Sequence, residues 1–217
     1  MQRPLIKYCG NKSCEDVQVV SQSRADYIGF IFANSKRKVN PDEVKQWLQE
    51  VDLHGKQTVG IFVNANFEEI ETVLEIVPLA IIQCHGTESV DYIKQVKKRT
   101  MKNVWKVIHH ADQALETMKE FAGIVDGYVV DTKVANMWGG SGVSFNWEAI
   151  PLYHQEARSQ GVPCFIAGGI DSKNIERLLS YNIDGFDVSS GIEHQGKKDQ
   201  TIIHTIQKRV DEYVERT

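Results

Sequence analysis

This 217-residue chain has no run approaching the roughly 20 apolar residues that span a bilayer, and its opening Met-Gln-Arg-Pro-Leu-Ile-Lys-Tyr lacks the apolar core of a signal peptide. The expectation is a soluble cytoplasmic protein with no membrane partner. Charge of one sign is lacking too: 25 Lys and Arg stand against 29 Asp and Glu, interspersed rather than striped, for a net charge of -4. Without a basic field, nucleic acid is not an expected partner. Cysteine is sparse. Cys9, Cys14, Cys84 and Cys164 have no Cys-x-x-Cys spacing, which argues against a metal cluster and a secreted disulfide framework and leaves free thiols. The sequon Asn11-Lys12-Ser13 has no meaning without export. Linkers rich in Pro, Gly or Ser and low-complexity tracts are absent, so nothing divides the chain into several domains.

What is present is alternation. Short β-branched or aromatic runs are separated by amphipathic stretches, the sign of parallel strands joined by helical crossovers. Strands are predicted at Leu5 to Cys9, Tyr27 to Ala33, Thr58 to Val63, Leu79 to Cys84, Val104 to Ile108, Gly127 to Asp131, Pro163 to Ala167 and Gly185 to Ser189. Asn40-Pro41-Asp42-Glu43 offers a cap, a proline at the first helical position and a glutamate at the third; Asn66, Thr87 and Asp171 cap later helices. The last helix, Gln200 to Val214, puts Ile202, Ile203, Ile206, Val210 and Tyr213 near one face. Eight such units with right-handed crossovers close on themselves, whereas an open doubly wound sheet more often has fewer strands and a Gly-x-Gly-x-x-Gly turn, missing here. The predicted architecture is α/β, a (β/α)8 TIM barrel forming a single domain over residues 1–217. One long connection, from Asp131 to Phe145, is expected to be a lid or a substrate-binding loop.

Reactive groups in such a barrel stand at the carboxyl ends of the strands. The seventh strand ends Ala167-Gly168-Gly169 and the eighth Ser189-Ser190-Gly191. Small residues let backbone N–H groups approach an anion, and a following helix N-terminus adds positive charge, so the paired turns predict a phosphate cup. The first strand ends in Cys9 and the sixth in Asp131, a plausible base and acid facing each other across the mouth. Each has a bland reading: Cys9 as a small buried hydrophobe, Asp131 as a turn cap, Arg37 as part of a solvated basic loop. His85 is a candidate for lining the pocket or a structural hydrogen bonder, and His109 and His110 read as a strand terminus. Cys14, Cys84 and Cys164 read as packing, Trp47 and Trp105 as helix and barrel core, and Trp138 as part of the long connection.

Several fragments, in this order, resemble phosphoribosylanthranilate isomerases of the tryptophan pathway over nearly the whole chain. They are Lys7-Tyr8-Cys9-Gly10, Gly29-Phe30-Ile31-Phe32 with Ser35-Lys36-Arg37, Gly60-Ile61-Phe62-Val63-Asn64, and Gln83-Cys84-His85-Gly86, where Leu is usual at Cys84. Asp131-Thr132, Gly139-Gly140-Ser141-Gly142 with Phe145-Asn146-Trp147, Ala167-Gly168-Gly169 and Asp187-Val188-Ser189-Ser190-Gly191-Ile192-Glu193 follow. The resemblance implies an aldose–ketose isomerase that converts N-(5′-phosphoribosyl)anthranilate, by an Amadori rearrangement, to 1-(2-carboxyphenylamino)-1-deoxyribulose 5-phosphate. It implies that Asp131, kept protonated by burial or a neighbouring negative charge, protonates the furanose oxygen. Cys9 then removes the C2′ proton of the resulting iminium, with its thiolate fraction raised by the cationic substrate and the barrel mouth. Arg37 is implied to fork the anthranilate carboxylate, and Gly168, Gly169, Ser189, Ser190 and Gly191 to hold the 5′-phosphate. No metal and no organic cofactor are implied; the partner is a small phosphorylated sugar-anthranilate, and monomer and homodimer both fit. Two departures stand out: Tyr8 beside the thiol, expected to face the helices, and Asn11, where an aliphatic residue is common.

Strand alternation adds one expectation. Lys7 precedes Cys9 by two residues and Asp187 precedes Ser189 by two, so both point inward on neighbouring strands and should pair beneath the site, where a lone charge is costly. Rival readings are indole-glycerol-phosphate synthase, which would use a lysine acid, ribulose-phosphate epimerase, which would bind a metal through paired His and Asp, and an idle phosphate-binding barrel that regulates a partner.

Overall fold

The computed structural model describes residues 3–131, 133–134, 137–138 and 147–216, the side chains of 133–134 and 137–138 excepted. Eight parallel strands close into a barrel: β1 (Leu5–Tyr8), β2 (Tyr27–Ile31), β3 (Gln57–Phe62), β4 (Ile81–Cys84), β5 (Asn103–His109), β6 (Gly127–Asp131), β7 (Cys164–Ala167) and β8 (Gly185–Val188). Each pairs with its sequence neighbours, and β1 pairs with β8 to complete the ring. The helices are α1 (Cys14–Ser21), α2 (Pro41–Glu50), α3 (Phe67–Ile76), α4 (Val90–Thr100), α5 (Ala114–Glu120), α6 (Ile150–Ser159), α7 (Ile175–Leu179) and α8 (Gln200–Arg216). Thr132, the segment Gly139 to Phe145 and the side chain of Trp138, all in the connection expected to cover substrate, lie outside the described residues.

The strands read as continuous apolar runs because both of their faces are buried. One alternating set, including Val59, Ile61, Val107, Val129 and Ala167, fills the barrel interior. Its floor is aromatic: Tyr27, Trp105 and Phe165 meet with ring centroids 4.7 to 5.5 Å apart. The other set, including Ile28, Phe30, Ile82, Val104, Val130 and Phe186, packs against the helices in a separate outer layer. Tyr8 belongs to that outer layer, as alternation requires, and Trp47 is half-buried against it.

Helix starts follow their caps with two corrections. Asn40 accepts from the Asp42 N–H ahead of Pro41, and Asn66 and Glu69 form a reciprocal capping box. Ser89, not Thr87, caps α4: Thr87 donates to the Asn64 side chain instead, so the chain turns two residues later. Asp171 accepts from the N–H groups of Lys173 and Asn174 and closes a turn, and α7 begins only at Ile175. After β8 no helix follows directly. A 3-10 turn (Ser190–Ile192) leads into an antiparallel ribbon, Glu193–His194 with Lys197–Lys198, before α8. Gln195 and Gly196 join the ribbon strands, both at positive φ, as a tight two-residue hairpin requires.

Candidate active site

The predicted strands β1, β2, β3 and β8 each overran the observed ones at the carboxyl end, and past those ends Cys9, Ala33, Val63 and Ser189 border the site. Cys9 directly follows β1, its N–H donating to Val188 at 2.9 Å. A cavity of about 450 Å³ opens at the carboxyl ends of the strands, and Cys9, Arg37, His85, Asp131, Gly168, Gly169, Ser189 and Ser190 all border it. Gly191 does not. A Cβ there would stand 1.9 Å from the Ile170 carbonyl, so Gly191 lets the turns after β7 and β8 close against each other.

On the β1–β8 side the thiol sits in a dense charge network. A side chain at Gly29 would lie 2.8 Å from the Cys9 sulfur, so glycine there makes room for it. Lys7 and Asp187 stand in register and pair at 2.7 Å, the ammonium fully buried, as alternation predicts. Burial alone would lower Lys7, but Asp187 and then Cys9 hold it above the ordinary lysine value. Burial pushes the Cys9 thiol up; Lys7 opposes this first, Asp187 adds to it and Lys198 opposes it. Among the protein groups alone, desolvation outweighs the cations around the thiol. Asn11, the departure in the first loop, is a staple, donating from one side-chain amide to the carbonyls of Tyr8 and Gly29 at 3.0 Å each.

Arg37 is no solvated loop residue. It is 7% exposed and its Nε and Nη2 donate to the two oxygens of Glu193, each at 2.8 Å. Glu193 and Lys198 are functional candidates the residue-level reading passed over. Glu193 closes the motif that carries Asp187, Ser189, Ser190 and Gly191, and Lys198 stands beside Lys197 with no motif around it. The signal was the ribbon: Glu193 and Lys198 are directly opposed, while Lys197 faces out to Glu15.

The opposite wall is built by β4 to β6. Asp131 is buried, with its Oδ2 3.4 Å from His85 Nε2. His109, in register with Asp131, lies 3.2 Å from the His85 carbonyl, and burial, then His85, lower its imidazole to about 4. Behind this wall Lys106 pairs with Glu88 at 2.9 Å, both nearly inaccessible. Lys106 also donates to Gly86 O, while Glu88 accepts from the N–H groups of Asn64 and Gly86. Burial would raise Glu88, but Lys106 and the Asn64 N–H outweigh it and hold the carboxyl below its usual range.

Gly168 and Gly169 both take positive φ, and Asn174 donates to the Gly169 carbonyl, fixing that turn. After β8 the chain enters a 3-10 turn at Ser190 rather than an α-helix, which corrects the expected helix N-terminus there. Among the described residues, four buried polar atoms without a hydrogen-bond partner, Gln83 Oε1, His85 Nε2, Asp187 Oδ1 and Ser189 Oγ, belong to residues that border this cavity, while others, such as Trp147 Nε1 and His154 Nε2, lie elsewhere. Such atoms are costly unless a ligand meets them. Among the described residues no cluster of three His, Cys, Asp or Glu is placed to hold a metal ion.

Fold and site together define an enzyme of the (β/α)8-barrel class with its cavity at the carboxyl ends of the strands. A profile of the N-(5'phosphoribosyl)anthranilate (PRA) isomerase family matches residues 6–209. The chain is 56% identical to the N-(5'-phosphoribosyl)anthranilate isomerase of Geobacillus thermodenitrificans, covering 96% of this chain and 95% of that one, and 42% identical to the Bacillus subtilis enzyme, covering 99% and 98%. Among solved structures, phosphoribosyl anthranilate isomerase from Thermotoga maritima superposes with a TM-score of 0.83 at 27% identity, covering 96% of this chain and 99% of that one. A phosphoribosyl anthranilate isomerase in complex with reduced 1-(o-carboxyphenylamino)-1-deoxyribulose 5-phosphate superposes with a TM-score of 0.80 at 26% identity, covering 96% and 99%. The chain belongs to the N-(5'-phosphoribosyl)anthranilate isomerase family, the aldose–ketose isomerases of tryptophan biosynthesis.

Proposed function

We propose that Cys9 and Asp131 carry the family's Amadori rearrangement as general base and general acid. Asp131, protonated, gives its proton to the furanose oxygen as the C1′–O bond breaks, and the anilino nitrogen lone pair forms the C1′ iminium. Cys9, as thiolate, removes the C2′ proton; the electron pair left behind forms a C1′–C2′ double bond and neutralises the nitrogen. The resulting enolamine tautomerises to the aminoketone. Desolvation favours the neutral thiol before substrate enters, whereas a cationic iminium beside the sulfur favours thiolate, so the base is strengthened when its proton becomes acidic. The observation that carries this reading is that Cys9 and Asp131 border one cavity whose rim includes both glycine- and serine-bearing turns.

The remaining groups follow from the substrate's charges. Gly168, Gly169, Ser189 and Ser190 take the 5′-phosphate through backbone N–H groups and hydroxyls, with Gly191 keeping the two turns together. Arg37 takes the anthranilate carboxylate, but end-on: Glu193 occupies the Nε/Nη2 edge, which leaves the Nη1/Nη2 edge for substrate. His85 lines the pocket beside the acid. The reading needs no metal, organic cofactor, nucleic acid or membrane, and a cytoplasmic monomer serves it. Met101 and Leu152, the exposed large hydrophobics among the described residues, lie at the C-cap of α4 and on α6, although the Thermotoga maritima relative is dimeric.

The test follows loss of anthranilate-type fluorescence from freshly made phosphoribosylanthranilate. Cys9→Ala and Asp131→Asn are expected to lower kcat by about 10²- to 10⁴-fold, the range for removing one general acid or base, while retaining inorganic phosphate as a competing ligand. A kcat close to the parent's in either variant, or phosphate binding lost with it, would contradict the assigned roles.

A further inference from the structure

Lys198 lies at the back of the thiol wall, its side chain inaccessible to solvent. Its Nζ donates to the Cys9 carbonyl at 2.7 Å, the Ser189 carbonyl at 3.1 Å and Glu193 Oε1 at 3.0 Å. An ammonium has three N–H bonds, and all three are met by acceptors. One nitrogen therefore ties the end of β1, the turn after β8 and the carboxylate that forks Arg37. Glu193 sits between the two cations, its other oxygen on Arg37. The ribbon itself is pinned from outside by Asp16, which accepts the Lys198 N–H at 2.8 Å.

We propose that Lys198 is a positioning residue for this reaction: it holds the thiol's backbone, the phosphate turn and, through Glu193, the Arg37 guanidinium in one frame, and places an ammonium paired with Glu193 behind the base. The inference rests on the reading of Cys9 as that base. A mere structural staple would affect stability alone, whereas this arrangement couples Lys198 to the ionisation of Cys9 and to recognition of the substrate carboxylate. The groups facing Cys9 are Lys7 on its own strand, Asp187 on β8, Arg37 from the loop after β2 and Lys198 on the ribbon. Lys198 is the cation among them that also contacts Glu193 and the phosphate turn.

The test uses two readouts. Ultraviolet thiolate absorbance, as the difference between each protein and its own Cys9→Ala version, titrates Cys9 without substrate; the pH profile of kcat/KM follows the reaction. In Lys198→Met the Cys9 titration and the ascending limb of kcat/KM are expected to move together to higher pH by about one unit, about tenfold less thiolate at a given pH. KM is expected to rise as Arg37 loosens. Lys198→Arg keeps the charge and should restore the limb. Lys106→Met, which breaks the other buried lysine–glutamate pair without touching Cys9 or Arg37, should leave the limb in place. Glu193→Gln keeps volume but removes the negative charge between the cations, and should move the limb down while raising KM; it carries the test if Lys198→Met does not fold. A limb unmoved in Lys198→Met, equally moved in Lys106→Met, or unmoved or raised in Glu193→Gln overturns the proposal. A thiol titration that moves while the rate limb stays overturns Cys9 as the base instead.

Discussion

The two walls of the mouth are supported by the same chemistry put to different ends. Behind the thiol wall stands Lys198 with the partly buried Glu193, and behind the acid wall Lys106 with the buried Glu88, each ammonium and carboxylate about 3 Å apart. Lys106 and Glu88 spend their hydrogen bonds on backbone, the groups of Asn64 and Gly86, and so fix the turn that carries His85. Lys198 and Glu193 pass theirs to the backbone carbonyls of Cys9 and Ser189 and to the Arg37 guanidinium, residues proposed to act in the reaction. A buried ion pair is thus not functional or structural by its nature. What it touches next decides.

The largest effect that would break this comparison is on stability. Lys106→Met leaves the Glu88 carboxylate buried without its cation, a change that costs about 3–5 kcal/mol when one partner of a buried pair is removed. Chemical denaturation should show that loss, and replacing both partners by apolar residues should recover much of it. If Lys106→Met unfolds no more readily than the parent, the acid wall does not depend on the pair. A smaller effect, on binding, tests the other wall. Arg37→Lys keeps a charge but cannot fork Glu193 and present a second edge, so KM should rise by about tenfold with kcat little changed, the scale of one charge-assisted hydrogen bond. A fall in kcat with KM constant would place Arg37 nearer the reacting atoms than the carboxylate.

Most of the barrel was legible because each strand carried apolar residues on both faces and each crossover an amphipathic stripe. The pairing of Lys7 with Asp187 was legible for the same reason: alternation and closure of a ring are enough to put two inward charges side by side. What escaped was set by contacts far apart in sequence. Lys198 meets a carbonyl 189 residues away, and only the register of the ribbon decides that Lys198 turns in while Lys197 turns out. Arg37 reads as one of three adjacent cations until Glu193 is seen to hold it. The cap of α4 was misplaced because Thr87 and Ser89 are equally good caps, and a tertiary bond from Thr87 to Asn64 settles the choice. Glu88, in the same turn, gave no sign of pairing with a lysine on the next strand.

The smallest expected effect sharpens the contrast in acid. His109, on the acid wall, has its imidazole lowered to about 4 by burial first and by His85 second, from an ordinary value of 6.5. In the folded protein it stays neutral where the unfolded chain takes up a proton. Its contribution to stability is therefore complete above about pH 6.5 and is lost progressively as the pH falls toward 4. The lowered carboxylates Glu88 and Glu193 add their own losses only further down, as the pH falls below their ordinary 4.5. His109→Gln keeps a side-chain donor near the His85 carbonyl but cannot take up that proton. Its Tm should therefore fall less than the parent's between about pH 6.5 and 4 and in parallel with it below. On the thiol wall burial moves Cys9 upward, away from that window, and raises the Asp187 carboxyl above its ordinary value against the pull of Lys7. Parallel melting curves for the two proteins across the whole window would mean that His109 is open enough to protonate in the folded state, and that the acid wall is wetter than its burial implies.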